Sequence, residues 1–376
     1  MKILILMTGT YPPKEGIGSY VLNLAQRLSS DNVNQVTILT RIKKKTKRFE
    51  LINNNIRVIG VPTIKVPVLS LLHFKFKIIK EFKHQNFDIV HYNSPLMLFV
   101  KELKTKKSLV TIHSTMKASV RFLEPLNLGT ILKMVMGTII SPIIENTLLK
   151  NCNSIISVSD ITINELVKLY NFKNKIHYVP NCINHEIFYP LELKRKNQFC
   201  SVGRLDYGKG VVEIIKALNK IQDRLRSEKF KFYFIGDGPL KNMLLKKITD
   251  YGIGDIVNIK EHLSQIELSK FLSQSYFSLI NSKYETGPRT ALESMAVSTP
   301  VISTSVGLLK STDNKKLFIE IKKNKLSIEK AIVKGLEIID TPYYEELKQN
   351  SLVFSRKFYC KNLKTSIEKV YETNSY

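Results

Sequence analysis

Twice in this chain a short apolar run passes through a glycine-bearing loop into an amphipathic helical pattern. No other feature limits the fold as much. In the first passage Lys2–Met7 is the apolar run and Thr8–Gly18 is the loop, with Pro12, Pro13, Gly16 and Gly18. In the helix that follows, Val21, Leu22, Ala25 and Leu28 share one stripe, and Ser19 is placed to cap it. The second passage has Gln198–Val202, the loop Gly203–Gly210 and a helix over Val211–Ile221. Strands that are apolar without alternation are buried on both faces, as in parallel sheets covered by helices. Further strands are predicted at Gln35–Thr40, Ile56–Val61, Asp88–Tyr92, Ser108–His113, Ser154–Val158 and Lys175–Val179. A later set falls at Phe230–Ile235, Val257–Lys260, Phe277–Asn281 and Pro300–Ser303. Helical patterns lie between them, so the expected class is α/β with doubly wound parallel sheets. Ser264-Gln-Ile-Glu267 reads as a capping box, and Ser351–Tyr371 as one amphipathic helix.

A chain of 376 residues is comfortable for two domains. The pattern breaks around Asn181–Lys196, where Asn184, Pro190 and Lys194-Arg195-Lys196 read as a linker. That divides the chain into domains 1–185 and 186–354, two Rossmann-like halves. Cys152, Cys182, Cys200 and Cys360 are far apart and form no Cys-x-x-Cys, which argues against a disulfide framework or a zinc ribbon. The opening Met1–Met7 is too short for a signal h-region and reads as a buried strand. The uncharged apolar run Met134 to Ile144 has 11 residues. A membrane span needs roughly 20. The expectation is a cytoplasmic protein with at most peripheral membrane contact.

The net charge of +26 favours polyanionic partners. It is spread along the chain: residues 1–190 carry 26 basic and 11 acidic side chains, and the remainder 32 and 21. Basic residues are dispersed rather than clustered with aromatics, and no recognition motif is present, so nucleic acid is not expected as a partner.

The densest chemical signal is Val202-Gly-Arg-Leu-Asp-Tyr-Gly-Lys-Gly210. Ligands in open α/β sheets bind beyond the carboxyl ends of strands, where a helix N-terminus favours an anion. Arg204 can hold phosphate oxygens bidentately and Lys209 can add a point charge. Two solvated basic residues of a Lys-rich chain are the equally weighted alternative. The second signal is Glu285-Thr-Gly-Pro-Arg-Thr-Ala-Leu-Glu293. Gly287 permits unusual backbone angles and close approach of a ligand. Glu293 can accept ribose hydroxyls and Glu285 sugar hydroxyls, though acidity near a helix start also complements the macrodipole. In the first half, Gly16-Ile-Gly18 can turn backbone N–H groups toward a phosphate. His91 and His113 each close a strand; such residues are more often structural than catalytic.

Asp-x-Asp, His pairs at metal-ligand spacing, the P-loop pattern and Gly-x-Ser-x-Gly are all missing from the sequence. No metal site is expected, and a diphosphate here would be neutralised by Arg204, Lys209 and helix dipoles.

Taken in order, these residues resemble the retaining glycosyltransferases of family 4, over nearly the whole chain. The stretch Tyr11–Tyr20 with Asn23, Leu24, Ala25 and Leu28 is similar to that family's glycine loop and first helix. Asp88–His91, Thr111–His113, Ser157–Ser159 and Val179–Asn184 with Phe188 resemble its strand ends and the approach to its linker. The most specific matches are Val202–Gly210, Glu285–Glu293, Ser294–Ala296 and Thr299–Ile302. The resemblance implies the GT-B fold, two Rossmann-like parallel-sheet domains facing an inter-domain cleft, with a C-terminal helix (355–376) returning to the first domain. It implies a nucleotide-sugar donor, UDP- or GDP-linked, and no metal cofactor. Arg204 and Lys209 would bind the diphosphate, Glu293 the ribose and Glu285 the transferred sugar, assisted by Gly287, Pro288 and Arg289. Gly16 would lie against the phosphate, and His113 would contact the sugar and the reacting centre.

The chain departs from that pattern at Glu15, in place of a glycine, at Cys182 and Asn184, and at Gly307-Leu-Leu-Lys310. A glycan or lipid-linked acceptor is expected from family habit. Lys65–Lys83, basic and apolar together, fits either an anionic membrane surface or a core helix with a solvated Lys face. Met134–Ile144 fits either a buried helix or an acceptor-side wall. A catalytically inactive homologue acting as a partner subunit is the alternative reading of the whole.

Overall fold

The computed structural model describes residues 1–8, 11, 16–30, 33–43, 48–53, 55–64, 67–94, 96–120, 135–172, 175–311, 316–322, 327–360 and 363–373. Glu15 and Met134 lie outside them, as does most of the first glycine loop. The chain divides into two units. One comprises residues 1–121, 125–181 and 361–376; the other comprises 182–360 with 122–124. Its two main crossings fall at 181/182 and 360/361, in place of the expected 185/186 and 354/355.

The first unit is built on an eight-stranded sheet in the order β3-β4-β2-β1-β5-β6-β7-β8. Its strands are β1 (Lys2–Met7), β2 (Gln35–Lys43), β3 (Phe49–Asn53), β4 (Ile56–Thr63), β5 (Asn86–Asn93), β6 (Lys104–Ile112), β7 (Ser154–Ser157) and β8 (Ile176–Tyr178). Ile3, Leu4, Ile5 and Leu6 of β1 are fully buried, because helices cover both faces of the sheet. All pairings are parallel except β3 with β4, an edge hairpin not expected from the sequence. Only residues 54–55 separate those two strands, far too few for a crossover, so the pair must be antiparallel.

Helix α1 (Gly16–Leu28) begins three residues before Ser19, which therefore sits inside the helix and does not cap it. On one side of the sheet, α2 (Pro67–Phe82) places Phe74, Ile78 and Phe82 in one core with Leu148 and Leu149. The latter two belong to α4 (Ser141–Asn151), which follows the short α3 (Met116–Val120) and a π-helical turn at Met136–Ile140. Next in the chain is α5 (Asp160–Tyr170), capped by Ser159.

The second unit carries six parallel strands in the order β11-β10-β9-β12-β13-β14. They are β9 (Gln198–Val202), β10 (Lys231–Ile235), β11 (Val257–Lys260), β12 (Phe277–Ile280), β13 (Val301–Thr304) and β14 (Ile319–Ile321). The helices are α6 (Val211–Lys220), α7 (Gln222–Ser227), α8 (Lys241–Asp250), α9 (Gln265–Ser273), α10 (Arg289–Ala296), α11 (Ile328–Ile338) and α12 (Pro342–Arg356). The predicted capping box at Ser264 and Glu267 is formed, with both reciprocal hydrogen bonds. The predicted helix over Ser351–Tyr371 is instead the end of α12 and a separate α13 (Leu363–Glu372), which belongs to the first unit.

The expected linker is ordered within the second unit. Phe188 is core, and Arg195 donates to the Ser298 carbonyl oxygen at 2.7 Å. No disulfide framework was expected, and the described residues hold one bond that the sequence did not reveal: Cys182 and Cys360 are joined across 178 residues. Sequence spacing hid the pair because the chain enters and leaves the second unit side by side. Ile183 N–H donates to the Phe358 carbonyl at 2.8 Å, and Cys360 N–H donates to that of Ile183 at 3.0 Å.

Candidate donor site

The site is assembled at the carboxyl ends of β9 and β12, neighbours at the centre of the second sheet. Beyond β9 the chain makes one 3₁₀ turn, Tyr207–Lys209. Asp206 caps that turn by accepting the Lys209 N–H at 3.0 Å. Gly210 follows with φ of 64° and opens α6. A Cβ there would lie 2.3 Å from Asn281 Nδ2 and 2.4 Å from the Asn281 carbonyl oxygen, so only glycine lets the turn approach the end of β12. Asn281 seals that approach by donating to the Gly210 carbonyl oxygen at 3.1 Å.

This geometry holds Lys209 over the loop that follows β12. Its ammonium is ion-paired with Glu285, whose Oε1 also accepts from Ser282 Oγ at 2.9 Å. Arg204 is directed outward, its side chain 69% exposed, and lies 3.3 Å from Asp206. A small hollow between these groups is lined by Gly203, Arg204, Lys209, Asn281, Ser282 and Thr290.

After Glu285 the chain runs through Thr286, Gly287 and Pro288 into α10. Beside this loop Gly307 adopts a positive φ, at 58°. A Cβ on Gly307 would lie 2.7 Å from Pro288 Cδ and 2.8 Å from the Thr286 carbonyl oxygen. The loop therefore takes its shape from a glycine that the sequence shows only as a departure from the family pattern. One turn into α10, Glu293 is buried and accepts from Arg289 Nη2 at 3.1 Å, with side-chain exposures of 9% and 14%. A carboxylate and a guanidinium so shielded need each other, since an isolated charge there would be costly.

Arg204, Lys209 and Glu285 are thus brought together, and Gly287, Pro288, Arg289 and Glu293 occupy the adjoining loop and helix. Sequence reading missed Asp206, Asn281 and Ser282. Asp206 carries an N-cap signal three residues before Lys209. Asn281 and Ser282 follow a predicted strand, at the edge where such sheets bind ligands.

Gly16 and His113 belong to the first unit. Gly16 is exposed at the start of α1, and a Cβ built on it would meet no atom within 4 Å. His113 directly follows β6 and packs edge-on against Tyr20, with ring centroids 4.8 Å apart at 81°. His91 is fully buried, bonded through Nε2 to Thr111 at 2.7 Å and through Nδ1 to the Tyr371 hydroxyl at 2.9 Å. Burial, with His113 nearby, pushes its pKa down to about 3, so it stays neutral. Its role is structural: it ties α13 to the sheet. Among the described residues no three His, Cys, Asp or Glu side chains converge as a metal-ligand set.

Two family models match in sequence. Glycosyltransferase Family 4 matches residues 14–187, and Glycosyl transferases group 1 matches residues 184–351. An uncharacterized glycosyltransferase of Methanocaldococcus jannaschii is 30% identical over 239 residues, 59% of this chain and 60% of that protein. The alpha-monoglucosyldiacylglycerol synthase of Streptococcus pneumoniae is 24% identical over 91% of this chain and 79% of its own length. Among solved structures, sucrose-phosphate synthase of Thermosynechococcus elongatus superposes with a TM-score of 0.82 at 18% identity, covering 99% of this chain and 98% of that one. The Anabaena protein HepE in complex with UDP-glucose gives 0.73 at 12% identity over 98% of both. With the models abutting across both sheets, and with fold and motif order in agreement, the chain belongs to the family 4 glycosyltransferases of GT-B fold.

Proposed function

We propose that the protein transfers a sugar, with retention of anomeric configuration, from a UDP- or GDP-sugar to a glycan or lipid-linked acceptor. The setting we infer is bacterial surface polysaccharide, lipopolysaccharide or glycolipid synthesis, on the cytoplasmic side of the membrane. One observation carries the reading: a lysine and an arginine stand at the end of β9, with a glutamate from the β12 loop on the lysine. Cations and a carboxylate so placed suit a substrate with a diphosphate at one end and a polyol at the other.

In this reading Arg204 and Lys209 take the two phosphates, and Glu293 takes the ribose hydroxyls. Glu285 exchanges its contact with Lys209 for sugar hydroxyls, and the Gly287–Arg289 backbone flanks the sugar. Gly16 and His113 are the first unit's candidates for contact with the phosphate and with the sugar. The acceptor hydroxyl attacks the anomeric carbon on the face the diphosphate leaves. Its proton passes to the departing phosphate oxygen as the carbon–oxygen bond breaks. The protein supplies position and positive charge at the leaving group. Arg204 and Lys209 deliver that charge, so the reaction is proposed to proceed without a divalent cation.

The streptococcal relative's name includes a glycolipid and HepE holds UDP-glucose, which supports the substrate classes named here. The test is a melting-temperature panel of UDP, GDP, ADP and CDP with their sugar conjugates, in chelator. A ligand at about 100 times its Kd stabilises by about 2.7 kcal/mol, a shift of several degrees. One nucleotide standing out supports the reading. A flat panel from folded protein overturns it in favour of an inactive homologue.

A further inference from the structure

Only His113, Ser114 and Thr115 carry the chain from the end of β6 into α3. Both ends of that passage are fixed by buried groups. Upstream, Thr111 and Ile112 are fully buried in the sheet. Downstream, two carboxylates from neighbouring helices hold the start of α3. Glu145 of α4 is fully buried, and its Oε2 accepts both the Met116 N–H, at 3.1 Å, and the Tyr170 hydroxyl of α5. Glu165 of α5 accepts from Thr115 Oγ1 at 2.8 Å, and that hydroxyl oxygen accepts the Ala118 N–H at 3.3 Å. The other charged side chains of these elements are engaged elsewhere. Lys117, Lys150, Asp160 and Lys168 are exposed, and Lys107 of β6 is bonded to the Val370 carbonyl oxygen. His113 packs on Tyr20, and neither the π-helical turn nor β7 carries a titratable side chain. Tyr170 and Glu165 are therefore the titratable groups that face Glu145 among the described residues, and no cation pairs with it.

A buried carboxylate without a cation is costly to keep. This one is spent on a backbone N–H three residues from His113. We propose that Glu145 is a positioning residue for sugar transfer: by holding the Met116 N–H it fixes the turn that presents His113, and it holds that turn more firmly ionised than neutral. The proposal deepens the functional reading above and rests on it, since it takes His113 as the group that contacts the sugar. A carboxylate makes charge-assisted hydrogen bonds, about twice as strong as those of a neutral group. The neutral carboxyl group has in addition a proton of its own to place among the same partners. Burial raises the Glu145 pKa to about 7, so the change of state falls in the neutral range, where a solvated glutamate stays ionised. The tether is short, and a displacement of about 1 Å at a reacting group can cost about a hundredfold in rate.

The test follows nucleotide release from UDP-glucose and GDP-mannose, with octyl glucoside or diacylglycerol as acceptor. Parent and Glu145→Gln are compared from about pH 5.5 to about pH 8.5. Glutamine has the size of the protonated carboxyl group and no charge, and the ratio of the two kcat values cancels groups that titrate in both proteins. The ratio should be near one at about pH 5.5 and rise to about tenfold at about pH 8.5, with the donor KM unchanged within about twofold. The variant should melt no lower than the parent at the upper pH, so the lost turnover is not lost fold. Thr115→Val removes the tie to Glu165 and should lower kcat about threefold or more. It carries the test if Glu145→Gln yields no folded protein, and parent-like turnover by it then overturns the proposal. A Glu145→Gln ratio that does not change with pH also overturns it and leaves Glu145 a residue of the fold alone. Full turnover by His113→Ala removes His113 from the reaction, and this assignment with it, while the donor site stands. A parent that releases no nucleotide from either donor refutes the functional reading itself, and this assignment falls with it.

Discussion

Lys209 and Glu285, separated by 76 residues in the chain, are ion-paired at the centre of the second sheet's carboxyl edge. Each is the other's counter-charge, so a substrate that takes both must offer an anion to the lysine and hydroxyls to the glutamate. Lys209→Ala is expected to lower kcat/KM for sugar transfer by more than about tenfold through loss of charge at the leaving group. Glu285→Gln keeps the Ser282 hydrogen bond and is expected to lower kcat by a similar factor. Transfer at the parent rate by both variants would remove these residues from the site.

Glu293 is predicted to act on binding more than on turnover. Glu293→Ala should weaken nucleotide-sugar affinity about tenfold in calorimetry, the loss of roughly one charge-assisted hydrogen bond. It should also cost about 1–3 kcal/mol of stability, because Arg289 loses the Glu293 carboxylate while still shielded from water. Arg289→Ala should share the stability loss, and the double variant should lose less than the sum of the two.

Glu145 gives the first unit a pH dependence. The carboxylate is buried between α3 and α5, where it accepts the Met116 N–H at 3.1 Å and the Tyr170 hydroxyl, with Glu165 close by. Burial is the chief cause that raises its pKa to about 7. A raised folded-state pKa means the native state holds the proton more tightly than the unfolded chain. This contribution is complete below about pH 4.5 and is lost as pH rises to about 7, up to roughly 3 kcal/mol. Glu145→Gln should remove that slope and stabilise the protein at pH 8. Melting temperatures across pH 5–8 would check it, and an unchanged slope would assign the effect elsewhere.

His91 works in the opposite sense. Its folded pKa of about 3 lies below the ordinary 6.5, so its contribution is present above 6.5 and is lost as pH falls toward 3. Tyr371→Phe leaves Nδ1 without its hydroxyl partner and is expected to cost about 1–3 kcal/mol. The amides of residues 363–372 should then exchange faster than those of β5, because His91, with Lys107 on the Val370 carbonyl at 2.6 Å, anchors α13.

Thiol titration checks the Cys182–Cys360 bond. Air-oxidised protein in denaturant should show two thiols, from Cys152 and Cys200, and reduced protein four. Closing a loop of this length is worth about 5 kcal/mol in the chain-entropy model, so Cys182→Ser should lower the melting temperature of oxidised protein. Four thiols before reduction would refute the bond.

The sequence by itself determined the class of fold and marked the two motifs from which the candidate donor site is built. Continuous apolar strands, glycine loops and amphipathic helices are local signals, written within a few residues of where they act. Lys209 and Glu293 were legible because each lies in a motif fixed by its own strand–loop–helix passage. What required tertiary structure is whatever depends on distant segments meeting. The Lys209–Glu285 pair joins loops 76 residues apart, and the disulfide joins the entrance and exit of one unit. The loop before α10 is shaped by Gly307, a residue some twenty positions away that reads as a deviation until Pro288 is seen against it. His91 reads as a strand-end residue, structural more often than catalytic, and its partner becomes visible only with α13 closed over it. Periodicity marks which side of an element is apolar. Only packing decides which sides meet, and for α2 it leaves one of its two apolar sides facing solvent.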